Sequence, residues 1–239
     1  MTGTRQPALT MPYPRCAIYF TPPPDSPLAS FGASVLGYDS YQRADVAYPG
    51  IDGVPAKTLA KITKDPRQYG FHATLVAPFH LEGTEAELLS ALSEFTDDNY
   101  PVDVGSLSVD VIASFIALKP ETKIPKLDRL AGTLVRSFDK YRAAPTETDR
   151  VLRLTAHLSS RQREMFSRWG YPYVFDEFRF HMTLTGPLQA GELAPVKSAL
   201  AKLYAQSADI HLEVDALSLM RQDKPDSRFF VVARKRFKK

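Results

Sequence analysis

Two segments of this chain carry the same pairing of reactive side chains. Phe71-His-Ala-Thr-Leu-Val-Ala-Pro-Phe79 and Phe180-His-Met-Thr-Leu-Thr-Gly-Pro-Leu188 align without a gap at an offset of 109 residues. In a strand, side chains at i and i+2 share a face, so His72 and Thr74 project together while Phe71, Ala73 and Leu75 face the other way. The same parity sets Arg179, His181, Thr183 and Thr185 against an apolar side of Phe178, Phe180, Met182 and Leu184. Imidazole, with an ordinary pKa of about 6.5, serves as base or acid near neutrality. Two histidines facing across a cleft divide that work, one accepting a proton from a nucleophile and the other protonating a leaving oxygen. Threonine hydroxyls beside them donate to non-bridging phosphate oxygens and hold phosphorus between the rings. This chemistry needs no metal and no cofactor.

Four further residues are candidates for substrate contact. Arg179 shares the face of His181 and would meet a phosphate. Tyr69 has the opposite parity to His72 and reaches the same cleft only if Gly70 bulges the chain. Tyr173, with Tyr171 beside Trp169, and Tyr19 on the first strand offer rings for a base or sugar. The remaining histidines read as structural. His157-Leu-Ser159 sits at a helix entrance, while His80 and His211 read as solvent-facing or locally bonded. No Gly-x-Ser-x-Gly elbow, Walker loop or Gly-x-Gly-x-x-Gly is present, and five histidines with one cysteine show no zinc spacing.

Positioning these groups requires a particular run of elements. Arg15–Thr21 reads as a strand stopped by Pro22-Pro23-Pro24. Asp25 or Ser26 then caps a helix ending near Leu36, and Pro55 opens a short one. A strand from Tyr69 to Phe79 follows, and Thr84 with Glu87 forms a capping box for the next helix. Val102–Val109 and Val111–Leu118 read as strands, with a helix from Pro125 burying Leu127, Leu130, Leu134 and Phe138. Beyond them come a helix over Ser160–Trp169, a strand from Tyr173 to Gly186, and a helix marked by Leu193, Val196, Leu200 and Leu203. The alternating runs Ile210–Ala216 and Phe229–Arg234 close the chain. Strands separated sometimes by helices and sometimes only by turns argue for an α+β fold with mainly antiparallel sheet.

Composition narrows the function class. The 239 residues are 44% hydrophobic and 24% charged, an ordinary globular balance. Of thirty positive residues, five fall between Arg234 and Lys239, leaving twenty-five against twenty-seven negative elsewhere and a net charge of −2 for the body. Proteins that grip long nucleic acid spread cations over a face, so a small anionic substrate fits better than a polymer. Cys16 has no second cysteine to bridge to. The N-terminal residues lack an apolar signal core, and Val111–Leu118 is too short to span a bilayer, so the expected setting is the cytoplasm without membrane contact.

With its paired His-x-Thr motifs the chain resembles the 2H phosphoesterase superfamily. Arg67-Gln-Tyr-Gly-Phe-His-Ala-Thr-Leu75, Trp169-Gly-Tyr-Pro-Tyr173 and Phe178–Gly186 are similar to the branch associated with bacterial phosphonate-utilisation operons. Many relatives carry a basic residue after the first His-x-Thr-Leu, where this chain has Val76. The resemblance implies a bilobal, pseudo-twofold fold in which two small antiparallel sheets backed by helices flank a central cleft. It also implies metal-independent cleavage of a small, cyclic, ribose-containing phosphodiester, with His72 and His181 catalytic and Thr74 and Thr183 binding phosphate. The expected partner is a small phosphorylated ribose or nucleotide, and a monomer suffices.

The organisation expected is an arm over 1–12, one bilobal domain over 13–235 with its repeat centred on 71–79 and 180–188, and a basic tail over 236–239. A near-symmetric repeat leaves open which histidine is the base. An RNA-end-processing phosphoesterase or ligase of the same superfamily is one alternative. A noncatalytic module that binds nucleotides or sugar phosphates is another.

Overall fold

A computed structural model describes residues 14–144, 158–206 and 211–238. The expected arm at 1–12 and His157 lie outside them. Along the chain run β1 (Arg15–Phe20), α1 (Pro27–Leu36), the small hairpin β2 (Tyr38–Asp39) and β3 (Ala44–Asp45), α2 (Ala56–Ile62), α3 (Lys64–Arg67) and β4 (Ala73–His80). Next come α4 (Glu85–Asp97), β5 (Val102–Ile112), β6 (Phe115–Pro120), α5 (Pro125–Phe138) and α6 (Ser160–Trp169). The last elements are β7 (Met182–Thr183), α7 (Ala190–Ala205), β8 (His211–Val214), β9 (Ala216–Gln222) and β10 (Phe230–Arg236).

Local chemistry explains where the helices start. Ser26 accepts a hydrogen bond from the Ala29 amide and Pro27 occupies the first turn, satisfying donors that the helix cannot use itself. Thr84 with Glu87, and Ser159 with Gln162, form reciprocal capping boxes at α4 and α6. Helix α5 buries Leu127, Leu130, Leu134 and Phe138 on one stripe, as their spacing predicts. At about 1.5–3 kcal/mol for each fully buried large apolar side chain, this stripe outweighs any capping contribution to the helix.

The main sheet has the order β10-β9-β1-β4-β7-β6-β5-β8, and its neighbours pair antiparallel. Four strands lie on each side of the β4–β7 contact. The first half of the chain supplies β1, β4, β5 and β6, and the second supplies β7, β8, β9 and β10. Because β9 lies beside β1, and β6 and β5 lie between β7 and β8, each side of the sheet draws strands from both halves. The bilobal α+β architecture therefore has lobes built from both halves of the sequence. Cys16, Ile18 and Phe20 face the helix-covered core, whereas Ala17 and Tyr19 join Met220 and Phe229 on the opposite face. Helix α4 packs on β9 and β10, α5 on β4 and β5, and α7 on β5 and β6.

Several boundaries differ from those the sequence predicts, each for a physical reason. The strand expected from Tyr69 begins at Ala73, because α3 and a turn at Gly70, with φ at +71°, precede it. It continues through Pro78 to His80, since the β1–β4 register shifts between Cys16 and Ile18 and a residue without an N–H is tolerated at that irregularity. His80 is consequently buried at 7% exposure instead of facing solvent. The strand expected over Tyr173–Gly186 shrinks to Met182–Thr183. Phe175–Glu177 forms a 3-10 turn, and the amides of Leu184 and Thr185 both donate to Ile116 O, at 2.9 and 3.1 Å, which ends regular pairing. The turn between β5 and β6 falls at Ala113-Ser114, with Ala113 at φ +52°, rather than near Asp110.

Strand β9 is absent from the expected elements. Six of its seven residues are buried, so it has no polar face to produce alternation. At the chain end, Arg236 is the last residue of β10, Phe237 is 4% exposed, and the Lys238 amide donates to Thr96 O. Part of the expected basic tail is therefore held against the sheet, and Arg234 pairs with Asp215.

Gly32 on α1 marks where the helix layer meets the first motif. A Cβ there would lie 1.9 Å from the ring of Phe71, the residue before His72. We expect Gly32→Ala to lower the unfolding free energy by about 1–3 kcal/mol, the usual range for overpacking. Urea denaturation measures this, and an unchanged midpoint and slope would contradict so close a contact.

Candidate active site

Strands β4 and β7 pair at Ala73 and Met182, the central residues of the two His-x-Thr motifs. Extending that antiparallel register by one residue each way sets His72 opposite Thr183 and Thr74 opposite His181. Directly opposed residues share a face with Cβ atoms about 4.5–5.5 Å apart. The two imidazoles and two hydroxyls thus form a quartet about the pseudo-twofold axis. They line a cleft of about 1000 Å³ counted to its open mouth, together with Arg15, Tyr19, Asp65, Tyr69, Phe115 and Tyr171.

Each histidine is oriented by its own strand. His72 Nδ1 lies 2.9 Å from Gly70 O, and His181 Nδ1 lies 2.8 Å from Arg179 O. A carbonyl oxygen only accepts, so both Nδ1 atoms carry hydrogen, and in the neutral ring Nε2 is the basic atom. The contact is to the residue two positions upstream in both motifs. His72 Nε2 is 3.1 Å from Thr74 Oγ1, where the neutral ring accepts the hydroxyl hydrogen.

The turn before His72 is braced from several sides. Arg67 donates to Leu36 O at 2.8 Å, Ala60 O at 2.8 Å and Thr63 Oγ1 at 3.1 Å. These contacts tie α1 and α2 to α3, and the Phe229 amide bonds Gln68 O at 2.7 Å. Gly70 then takes φ +71°, and a Cβ there would approach Ser40 to 2.8 Å. This turn brings Tyr69 to the cleft despite its parity.

The quartet is symmetric in its backbone but not in its surroundings. Tyr19 pairs with Thr74 across β1–β4, and Ala117 holds the corresponding place beside Thr183 across β6–β7. Tyr19 stacks on His72 with centroids 3.8 Å apart and planes 17° apart. His181 instead meets Phe115 at 5.6 Å and a tilt of 48°. Burial pushes the His72 pKa down from its ordinary value to about 4, with His181 adding to the depression and the Gly70 carbonyl opposing it. Burial also lowers His181, opposed by the Arg179 carbonyl. The buried Tyr19 phenol is held well above its ordinary pKa by desolvation, then by Tyr69 and Tyr171, while Arg15 and Thr74 pull the other way.

Of the residues singled out from sequence, His72, His181, Thr74, Thr183, Tyr19 and Tyr69 line the same cleft. Arg179 and Tyr173 lie elsewhere, in an adjoining cavity of about 1050 Å³ that shares Thr74, Phe115, Tyr171 and His181 with the cleft. The Arg179 guanidinium donates to Asp176 O and Phe178 O at 2.8 and 2.7 Å. Tyr173 is 46% exposed and meets Tyr171 edge-on. Thr185, on the face predicted for it, is buried, and its hydroxyl accepts the Ile116 amide, a role in the sheet. Ser159 caps α6, and His211 pairs with Asp103 at 2.8 Å. Sequence reasoning missed Arg15, Asp65 and Phe115. Arg15 was within reach of parity, since Arg15, Ala17 and Tyr19 alternate along β1, whereas Asp65 on α3 and Phe115 at the start of β6 reach the cleft through tertiary packing.

Comparison with known proteins adds the following. The model of the family DUF1045, described as a protein of unknown function, matches residues 74–230. A protein of Janthinobacterium sp. (strain Marseille) named ribose 1,5-bisphosphate phosphokinase PhnN is 37% identical over 221 residues, covering 90% of this chain and 49% of that protein. One of the same name from Laribacter hongkongensis (strain HLHK9) is 32% identical over 216 residues, covering 90% and 50%. The chain thus spans about half the length of these curated relatives. Among solved structures, E. coli LigT complexed with 3'-AMP aligns with a TM-score of 0.40 and 13% identity, covering 95% of this chain and 100% of that one. A structure described as a phosphoesterase aligns with a TM-score of 0.37 and 14% identity, covering 94% and 98%.

The depressed His72 pKa carries a sign that can be checked. Below about 6.5 the unfolded chain takes up a proton at this site, while the folded protein resists until about pH 4. Stability at this site is present above pH 6.5 and is lost as pH falls toward 4. We expect NMR titration of the His72 ring to give a midpoint near 4, and His72→Gln to flatten the fall in stability across that window. A midpoint at or above 6.5 would overturn the burial argument.

Proposed function

The chain belongs to the DUF1045 family, and we propose that it is a metal-independent phosphodiesterase that opens a small, cyclic, ribose-containing phosphodiester by two-histidine acid–base catalysis. The observation that carries this reading is the Ala73–Met182 pairing, which sets each histidine opposite the other motif's threonine. Water attacks phosphorus as one Nε2 takes its proton, forming a new P–O bond. The bond to the ribose oxygen breaks in line, and the other imidazolium gives that oxygen a proton. Thr74 and Thr183 donate to the non-bridging oxygens, where charge builds in the transition state.

The unequal surroundings support an assignment of roles. His72, stacked on Tyr19 and kept neutral by burial, suits the base. His181 also borders the adjoining cavity and suits the acid, since a bound phosphate anion favours its charged form. The curated relatives are named for phosphorylating ribose 1,5-bisphosphate. Opening a cyclic phosphodiester on a phosphorylated ribose yields a ribose bisphosphate, so that name supports the same substrate class for this chain.

The test is an assay of 2′,3′-cyclic nucleotides and ribose cyclic phosphates in excess chelator. His72→Ala and His181→Ala should each lower kcat by about 10²- to 10⁴-fold, the usual contribution of a positioned acid or base. Full activity in either variant would remove the paired mechanism, and loss on chelation would remove the metal-free one. Binding without turnover would favour a noncatalytic module.

A further inference from the structure

The cleft extends beyond the quartet to Arg15, which is the one arginine or lysine among the described residues that line it. Arg15 opens β1 four residues before Tyr19. At about 3.3 Å of rise per residue the two Cα atoms are about 13 Å apart, and the side chain shortens that span by leaning over Phe229, 5.5 Å from its ring centroid. Phe229 stacks on Tyr69 at 5.4 Å and lies 6.3 Å from Tyr19. An aromatic layer therefore runs from the guanidinium to His72, with Tyr69 and Tyr19 lining the cleft and Phe229 buried behind them. The charge is felt along it, since Arg15 favours ionisation of the Tyr19 phenol against the burial that opposes it.

The guanidinium is also held in place. Gln222, 1% exposed, accepts from Arg15 Nε and Nη2 at 2.9 and 2.5 Å. Its own amide donates to Pro225 O at 3.2 Å and Ser227 O at 2.7 Å. Both ends of the Gln222 amide are thus committed, which fixes its oxygen toward Arg15. A pre-oriented guanidinium suits recognition of an anion.

We propose that Arg15 is a second anion subsite, which binds a terminal phosphate monoester on the same substrate whose cyclic phosphodiester sits at the quartet. The pentose would lie between them, its C–H face against Tyr69. This inference rests on the phosphodiesterase reading and narrows it to ribose phosphodiesters carrying a further phosphate. The substrate's two phosphorus groups then have separate holders, one for chemistry and one for selection.

The experiment compares a nucleoside 2′,3′-cyclic phosphate bearing a 5′-phosphate with the same compound lacking it, in wild type, Arg15→Gln and Arg15→Lys. Hydrogen bonds to a charged group support a wild-type preference of about ten- to hundredfold in kcat/KM for the 5′-phosphorylated compound. That ratio should fall toward one in Arg15→Gln and recover in part in Arg15→Lys. No preference in wild type, or a preference that survives Arg15→Gln, would overturn the inference while leaving the phosphodiesterase standing. Titration calorimetry with ribose 5-phosphate decides the subsite independently of turnover. Binding should weaken at least about tenfold in Arg15→Gln with Arg15→Lys intermediate, and equal affinity in all three proteins refutes it. If wild type opens neither cyclic compound, the functional reading fails and the calorimetry still judges Arg15. Circular dichroism confirms that each variant is folded, and Arg15→Lys, which keeps the charge and the chain length, carries the comparison if Arg15→Gln is not.

Discussion

The pairing of Ala73 with Met182 is the contact on which the rest of the arrangement depends. It is the single register position joining β4 to β7, and it falls between the histidine and threonine of both motifs. A strand pair in register at that point must put both His-x-Thr faces on the same side, because neighbouring residues alternate in direction and opposed residues do not. A shift of one residue would turn one motif away and dismantle the quartet. The pair is also short. Beyond it the amides of Leu184 and Thr185 turn to Ile116 O, so the two halves touch at the quartet without closing the cleft into a continuous ladder.

Such a short contact cannot hold two lobes together by itself. The strand order supplies what it lacks, with β5 and β6 of the first half laddered to β8 and β7 of the second, and β9 of the second laddered to β1. Each lobe therefore requires both halves of the chain. The helices bury the other face, where Ile18, Phe20, Leu118 and Met182 lie in one core. This division of labour puts the apolar free energy behind the sheet and leaves its front for polar groups.

Symmetry in the backbone coexists with asymmetry in the side chains. Both imidazoles are oriented by the carbonyl two residues upstream, a local feature that a duplicated motif carries with it. What differs is supplied by the neighbouring strands, namely a tyrosine beside Thr74 and an alanine beside Thr183. The ring on one side desolvates and stacks His72, and its absence on the other leaves His181 next to a cavity. Two like motifs thereby meet unlike surroundings, which come from the strands beside them.

Much of this was legible in the chain. Helix starts at Ser26, Thr84 and Ser159 were readable because capping is a matter of a few adjacent residues. The facing of His72 with Thr74 was readable because strand parity is local as well. Strand β9 was not, because burial on both faces removes the alternation that marks a strand. The true extent of β7 was not, because the carbonyl of Ile116, from another strand, ends it. Nor was the reach of β4 past Pro78, since only the partner strand reveals a register shift that tolerates a missing N–H. The sequence by itself determined the chemistry available, two imidazole–hydroxyl pairs on strands, since residue type and parity are properties of the chain. Only the tertiary structure decided that the pairs oppose each other, that Tyr19 covers one of them, and that Arg15 and not Arg179 shares their cleft. Those outcomes follow from register and strand order, which arise between segments far apart in the chain and leave no local pattern within either.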